Sequence, residues 1–468
     1  MKVTILQSCF QLSTFNFQLS TNMKITELYE IYKQYPSITT DTRNHIANSI
    51  FFALKGENFD GNTYIGQALE KDCAYAIGDD PNLPKNNHRI IPVENVLQTL
   101  QELARFHRRT LKIPVIGITG SNGKTTTKEL IAAILSSKYN VLYTQGNLNN
   151  HIGVPLTLLS MTKKHDIAVV EMGANHPGEI EELAAIAEPD YGLITNVGKA
   201  HLEGFGSFEN VIKTKSELYH FIERTGGKIF INQDNPYLNA VPVSAKKFYY
   251  GTQPEIPVGR EPMCSPLYGK IIESDSPFLV LKWFIGKQDY KVKTQLIGNY
   301  NFENVLAAVA IGIYFNIEPD KICEALTNYS PQNNRSQLLE TSKNHLIIDA
   351  YNANPTSMLA SLENFSKMKT SPKAVILGDM KELGKESASE HQKILDFIDK
   401  NQFERVFLCG EIFSGLSKRK YLSFGKCRTL FPHVDQLIEH LKNEELKGYY
   451  ILIKGSRGIK LEKVIDSL

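Results

Sequence analysis

Short apolar runs, each closed by a polar or glycine position, alternate with stretches of helical spacing along most of this chain. In the middle region Ile167-Ala168-Val169-Val170, Tyr191-Gly192-Leu193-Ile194 and Lys228-Ile229-Phe230-Ile231 predict strands, and Glu179 to Ala187 and Asn210 to Ile222 predict helices. That alternation is the pattern of a parallel sheet with helical crossovers. Ahead of it, residues 95–111 carry Val96, Leu100, Leu103 and Phe106 at helical spacing and lead into the strand-like run Ile113 to Ile118. From Met23 to Glu94, strand-like runs such as Ser49 to Leu54 and a helical segment, Tyr64 to Lys71, predict a small α/β unit. After Gly251 the β-like runs Phe278 to Phe284 and Tyr290 to Leu296 interrupt the alternation before an apolar helix at 303–315. Turn residues cluster between Asn328 and Asn334, and beyond them Leu346-Ile347-Ile348, Ala374 to Leu377, Val406 to Leu408 and Tyr450 to Ile453 predict a second, Rossmann-like α/β sheet.

The pattern therefore predicts an α/β chain of three domains: residues 23–94, 95–328 and 329–468. Residues 1–22 read as an extension ahead of a second plausible start at Met23. The 468-residue length agrees, at roughly 150 residues per domain.

Composition narrows the function classes. A net charge of +2 with mixed signs leaves no footprint for nucleic acid and no polybasic membrane anchor. The six cysteines, at 9, 73, 264, 323, 409 and 427, form no Cys-x2-Cys pair, which suits packing in a reducing compartment. The apolar stretch Val305 to Phe315 is short of the roughly 18 residues of a membrane span. Lys2 and Val3 to Leu6 resemble the start of a signal peptide, but polar residues from Gln7 onward break its core, so a cytoplasmic location is expected.

The candidate chemistry begins at Thr119-Gly120-Ser121-Asn122-Gly123-Lys124-Thr125, set between the strand-like run and the helical stretch Glu129 to Leu135. A strand, a glycine turn and a helix start make a phosphate cradle: backbone N–H groups and the helix dipole hold anionic oxygens, a lysine neutralises them, and a hydroxyl reaches Mg2+. The loop is shorter than the usual P-loop, because Ile118 stands where the first glycine of Gly-x4-Gly-Lys-Thr would fall.

Other candidates follow strands, where ligands of such sheets bind. Glu171 ends the run 167–170, as a metal-side acid or an ordinary strand-end acid. His201 lies in a polar loop after 191–194, and Lys215 lies on a helix where a solvated lysine is the plain alternative. Asn301 and Asn304 share one face of a helix start, as ligand groups or as caps. Arg335 reads as a phosphate-seeking cation or an exposed arginine. Asp349 reads as a ribose or base acceptor or a solvated turn acid. Lys454-Gly455-Ser456-Arg457-Gly458 resembles another anion site.

The order of these motifs resembles the Mur ligases, ATP-dependent amide-forming enzymes of bacterial cell-wall precursor synthesis, whose glycine loop is also short. The resemblance runs from about Met23 to the C-terminus and is carried by Gly146-Asn147-Leu148-Asn149-Asn150-His151-Ile152-Gly153-Val154-Pro155, Asp349-Ala350-Tyr351-Asn352-Ala353-Asn354-Pro355, Leu377-Gly378-Asp379-Met380-Lys381-Glu382-Leu383-Gly384 and Lys454-Gly455-Ser456-Arg457. It implies a UDP-substrate domain, a central ATPase domain and a C-terminal domain for the incoming amino component. The branch it points to joins D-alanyl-D-alanine to UDP-N-acetylmuramoyl-tripeptide. ATP and Mg2+ are implied, with the chain acting as a monomer.

By matching motif positions, the resemblance puts Thr119 to Thr125 around ATP, with Lys124 at the β and γ phosphates. Thr125, Glu171 and His201 fall around Mg2+, and Lys215 aligns with a lysine that is carbamylated in sister ligases. Asn301 and Asn304 fall near the adenine, Arg335 at the γ phosphate and Asp349 at the ribose. Lys124, Glu171, His201 and Arg335 are thereby the expected catalytic set. Thr42 and Lys55, with Asn149 and Asn150, are the substrate candidates. Two departures stand out: Asn62 where the family often has His, and Asn334 where Gly is usual. The alternatives are a sister ligase that adds the third-position diamino acid, whose frequent Asn-Pro-Arg signature is missing from this chain, and a phosphotransferase.

Overall fold

The computed structural model describes residues 23–43, 46–84, 86–255, 267–273, 276–332, 334–401, 403–419, 428–444 and 446–468. Cys9, Cys264, Cys427 and the 1–22 extension lie outside them. The chain divides into two compact units, residues 1–110 and 111–468.

In the first unit four parallel strands, in the order Ser37–Thr39, Ser49–Phe52, Tyr75–Gly78 and Ile90–Pro92, form a small sheet. Phe51 and Ala53 face a core closed by Ile65 and Ala68 of the short helix Ile65–Glu70. The helix Val96–Leu111 ends the unit and buries its Val96, Leu100 and Leu103 stripe.

The second unit holds two sheets. The larger runs Gln288–Ile297, Phe278–Ile285, Leu267–Glu273, Lys246–Gly251, Lys228–Asn232, Tyr191–Ile194, Val115–Thr119, Ile167–Glu171, Val141–Tyr143. Its strands are parallel from Val141–Tyr143 through Leu267–Glu273, and the last two turn back antiparallel. The region after Gly251 therefore continues the sheet instead of interrupting it, through the register Tyr250↔Leu267 and Gly251↔Tyr268. The helix Phe302–Tyr314, buried along most of its length, packs with the helix Lys124–Leu135 over this sheet in one core that includes Trp283, Phe230 and Phe248. An apolar helix can be buried on all sides only where neighbours cover it, as here.

The smaller sheet runs Gln337–Glu340, His345–Asp349, Tyr450–Lys454, Lys373–Gly378, Arg405–Cys409, Arg428–Phe431, parallel except for its first strand. Cys73 and Cys409 are buried and Cys323 partly so, all three as free thiols. Among the described residues no helix is long and apolar enough to cross a membrane.

Candidate active site

The sequence folds into a phosphate loop at the point where the large sheet changes direction. Val115–Thr119 lies between Ile167–Glu171 and Tyr191–Ile194, and a crevice at the carboxyl end of such a strand is the usual ligand position in open α/β sheets. Gly120 turns the chain at φ 142°, and a side chain there would put Cβ 2.0 Å from Thr195 Oγ1. Gly123 is left-handed at φ 78° and caps the helix Lys124–Leu135; its Cβ would fall 2.3 Å from Asn304 Oδ1. Only glycine satisfies both the conformation and the space.

The loop is braced from the neighbouring strand. Ser121 N donates to Asn196 O at 3.0 Å, Asn122 N to Asn196 Oδ1 at 3.0 Å, and Thr195 Oγ1 to Asn122 O at 2.6 Å. Lys124 folds back onto its own loop, donating from Nζ to Gly120 O at 2.7 Å. Burial lowers the proton affinity of this ammonium, Arg335 adds to that lowering and Glu171 opposes it. A cation so placed gains strongly from an incoming anion.

Glu171 is 1% exposed at the end of its strand. Its Oε2 accepts from Thr125 Oγ1 at 3.0 Å, and its Oε1 accepts from Asn149 Nδ2 at 2.8 Å. Asn150 accepts from Gly153 N at 2.9 Å and so starts the next helix. Asn301 and Asn304 make no cap bond. Asn304 Nδ2 donates to Asn301 Oδ1 at 3.0 Å, and Asn301 donates to Ile297 O at 2.9 Å and Ser336 Oγ at 3.1 Å. The pair is a polar wedge joining the loop glycine to the segment that carries Arg335.

Lys124, Thr125, Asn149, Asn150, Glu171, His201, Asn301, Asn304, Arg335 and Asp349 all line one cavity of about 700 Å3, together with Tyr351, Asn354 and Lys454 from the smaller sheet. Arg335 stacks 3.8 Å from the centroid of the Tyr351 ring, so it is not the exposed arginine that its loop position allowed. Asn334 before it is left-handed at φ 52°, which asparagine tolerates where glycine is usual. Asp349 pairs with Lys454 and accepts from Ser361 Oγ at 3.0 Å. Lys454 is buried in that pair and Ser456 Oγ accepts from Lys381 N, so this turn is a joint of the fold more than an open anion site.

His201 lines the cavity, but its Nδ1 pairs with Glu382 of the smaller sheet's loops. Further links cross the same gap. Asn354 Nδ2 donates to Asn122 Oδ1 at 2.7 Å, and Lys199 Nζ lies 3.1 Å from both Glu386 and Glu390.

Lys215 is not brought to the cavity wall. It is 2% exposed, donates to Ala174 O at 3.3 Å and faces the Phe205 ring, so the solvated-lysine reading fails. Burial, then repulsion from Lys124, pushes its pKa down to about 7.

Thr42 and Lys55 belong to the first unit. Thr42 Oγ1 donates to Gln67 Oε1 at 2.7 Å, and Lys55 Nζ lies 2.9 Å from Asp79. Asn62 bridges Asp60 at 2.7 Å and Asp79 at 2.9 Å, so the departure from histidine leaves this loop bonded. Sequence reasoning missed Lys128, a buried cation beside Glu171. Its position four residues after Lys124 was the available signal, since that spacing puts both on one helix face.

Profiles of the Mur ligase family match three segments: the catalytic domain over residues 34–108, the middle domain over 118–312 and the glutamate ligase domain over 334–457. The chain is similar to the UDP-N-acetylmuramoyl-tripeptide–D-alanyl-D-alanine ligase of Bacillus subtilis, 36% identical over 444 residues covering 92% of each chain. It is similar also to that of Escherichia coli, 33% identical over 92% of this chain and 93% of the relative. Among solved structures, MurF from Acinetobacter baumannii superposes with a TM-score of 0.81 at 27% identity, covering 95% of this chain and 98% of that one. The MurF ligase of Thermotoga maritima in complex with ADP gives 0.79 at 26% identity, covering 93% and 97%.

Proposed function

The chain belongs to the Mur ligase family, and on that premise we propose that it joins D-alanyl-D-alanine to UDP-N-acetylmuramoyl-tripeptide in the cytoplasm, with ATP converted to ADP and phosphate. The relatives above carry that activity in their names. The observation that carries the reading is the single cavity lined by the phosphate loop on one side and by Asp349, Tyr351 and Asn354 on the other. A carboxylate and an amine condense only after activation, and such a cavity lets the nucleotide's phosphates and the two reacting groups meet in one place.

In this reading the tripeptide's terminal carboxylate attacks the γ phosphorus, ADP leaves, and an acyl phosphate forms. The dipeptide amine then adds to the acyl carbon, and the tetrahedral species expels phosphate. Lys124 and the loop N–H groups neutralise phosphate charge, where electrostatic positioning does most for phosphoryl transfer. Arg335, backed by Tyr351, reaches the γ phosphate. Asn301 and Asn304 meet the adenine and Asp349 the ribose. Thr42 and Lys55 take the uridine nucleotide end, while Asn149 and Asn150 flank the peptide.

The Thr125 hydroxyl and the Glu171 carboxylate are hard oxygen donors of the kind that Mg2+ takes alongside nucleotide phosphates. His201, with Nδ1 held by Glu382, keeps Nε2 for the same role, an arrangement usual for metal-binding histidines. Bound Mg2+ would withdraw charge from the transferring phosphoryl group.

Lys215 with a pKa near 7 is substantially a free amine at neutral pH, and free amines take up CO2. A carbamate there would turn repulsion from Lys124 into attraction. Isotope-labelled CO2 is expected to give a lysine carbamate signal that rises with pH through about 7 and is missing in Lys215→Arg. No such signal at mildly alkaline pH would remove the modification.

The deciding assay is phosphate release with UDP-N-acetylmuramoyl-tripeptide, with and without D-alanyl-D-alanine. Release is expected to require the dipeptide. Turnover indifferent to it would sink the assignment in favour of a phosphotransferase.

A further inference from the structure

Lys128 sits one helical turn beyond Lys124 and is 1% exposed. Its Nζ lies 3.7 Å from Glu171 Oε2, 3.9 Å from Glu129 Oε1 and 5.8 Å from the centroid of the Tyr143 ring. Glu129 is itself engaged, accepting from Tyr329 OH at 2.7 Å. An ammonium in such a place loses its hydration and is retained only where an anion compensates it. Glu171 is the more buried of the two acids and has no other cation as near among the described pairs.

Thr125 and Asn149, which line the cavity, donate to the Glu171 oxygens. Lys128 is not part of the cavity wall and lies nearest Oε2, the oxygen that accepts from Thr125.

The geometry points to Lys128 as a positioning residue for Glu171, holding the carboxylate turned toward Thr125 so that it meets a metal–nucleotide without rearranging. This rests on the proposed function, since it concerns the same site. Lys128 touches neither nucleotide nor peptide in this arrangement. Its loss should therefore be felt in the metal and not in the nucleotide alone. Residues that orient a metal ligand typically shift metal affinity by about tenfold or more.

The test uses the full chain as Lys128→Met, Lys128→Arg, Glu171→Gln and the double variant. ADP binding is measured by calorimetry with EDTA and with Mg2+, and phosphate release is followed against Mg2+ concentration. Lys128→Met is expected to keep its metal-free ADP affinity while the Mg2+ concentration for half-maximal release rises about tenfold, and Lys128→Arg should restore most of it. In the double variant, Lys128→Met should add nothing to the Mg2+ requirement of Glu171→Gln. An unchanged Mg2+ requirement in Lys128→Met, or an equal loss of ADP binding with and without metal, overturns the proposal. Should Lys128→Met fail to fold, the double variant against Glu171→Gln decides, because it leaves no unpaired buried charge, and additive effects there overturn it. Wild-type release that ignores the dipeptide would instead refute the function itself.

Discussion

Lys124→Ala is expected to release phosphate about 10²–10³-fold more slowly than the wild type, the usual loss when one preorganised charge-stabilising group is removed, while remaining as stable or slightly more so. The two halves of that expectation have one cause. Lys124 donates to Gly120 O, is partly buried at the cavity wall, and is disfavoured as a charge by that burial and by repulsion from Arg335. Burial and Arg335 weigh against the cation, and in the proposed reaction the phosphate charge would offset both. Steady-state kinetics with both substrates, beside thermal unfolding, separates the halves. A variant that kept wild-type turnover would remove Lys124 from the phosphate, and one that unfolded far below the wild type would make it a structural residue.

Glu171→Gln is expected to fail in both respects. The amide keeps the shape and can still accept from Thr125 Oγ1, so what is lost is charge. Lys128, 3.7 Å away and 1% exposed, then has no buried counter-charge on that side. Removing one member of a buried ion pair destabilises by about 3–5 kcal/mol, which urea unfolding can resolve. Phosphate release should become very slow and require more Mg2+ for its half-maximal rate, because the Glu171 carboxylate is lost from the proposed oxygen donors. Unfolding at the wild-type urea midpoint would show that the pair contributes nothing.

Much of this site was legible because its signals are local. The strand, glycine turn and helix start at 115–135 announce a phosphate loop from consecutive residues, and Glu171 gains its reading from ending the next strand of the same sheet. The buried lysines were not legible in the same way. Lys215 and Lys128 occupy helices, where an exposed lysine is the plain expectation, and only packing against other elements covers them: Phe205 and Ala174 for the first, Tyr143 and Glu171 for the second. Arg335 was ambiguous for a related reason: its stacking on Tyr351 joins a loop to a strand end that no spacing rule pairs. Strand pairing set the other limit. Leu267–Glu273 reads as part of a break after Gly251, yet it extends the sheet, since the edge on which a strand docks depends on what that edge leaves open.

The amide contact between Asn122 and Asn354 joins the phosphate loop to the cap of the helix Pro355–Lys367. It ties the phosphate loop to the part of the chain that carries the smaller sheet, which in the proposed reaction takes the dipeptide. Linkage then makes the two ligands thermodynamic equals: whatever factor the dipeptide gains from bound nucleotide, the nucleotide must gain from bound dipeptide. If nucleotide binding tightens this contact, the dipeptide is held longer, and by the same factor the nucleotide is held longer by the dipeptide.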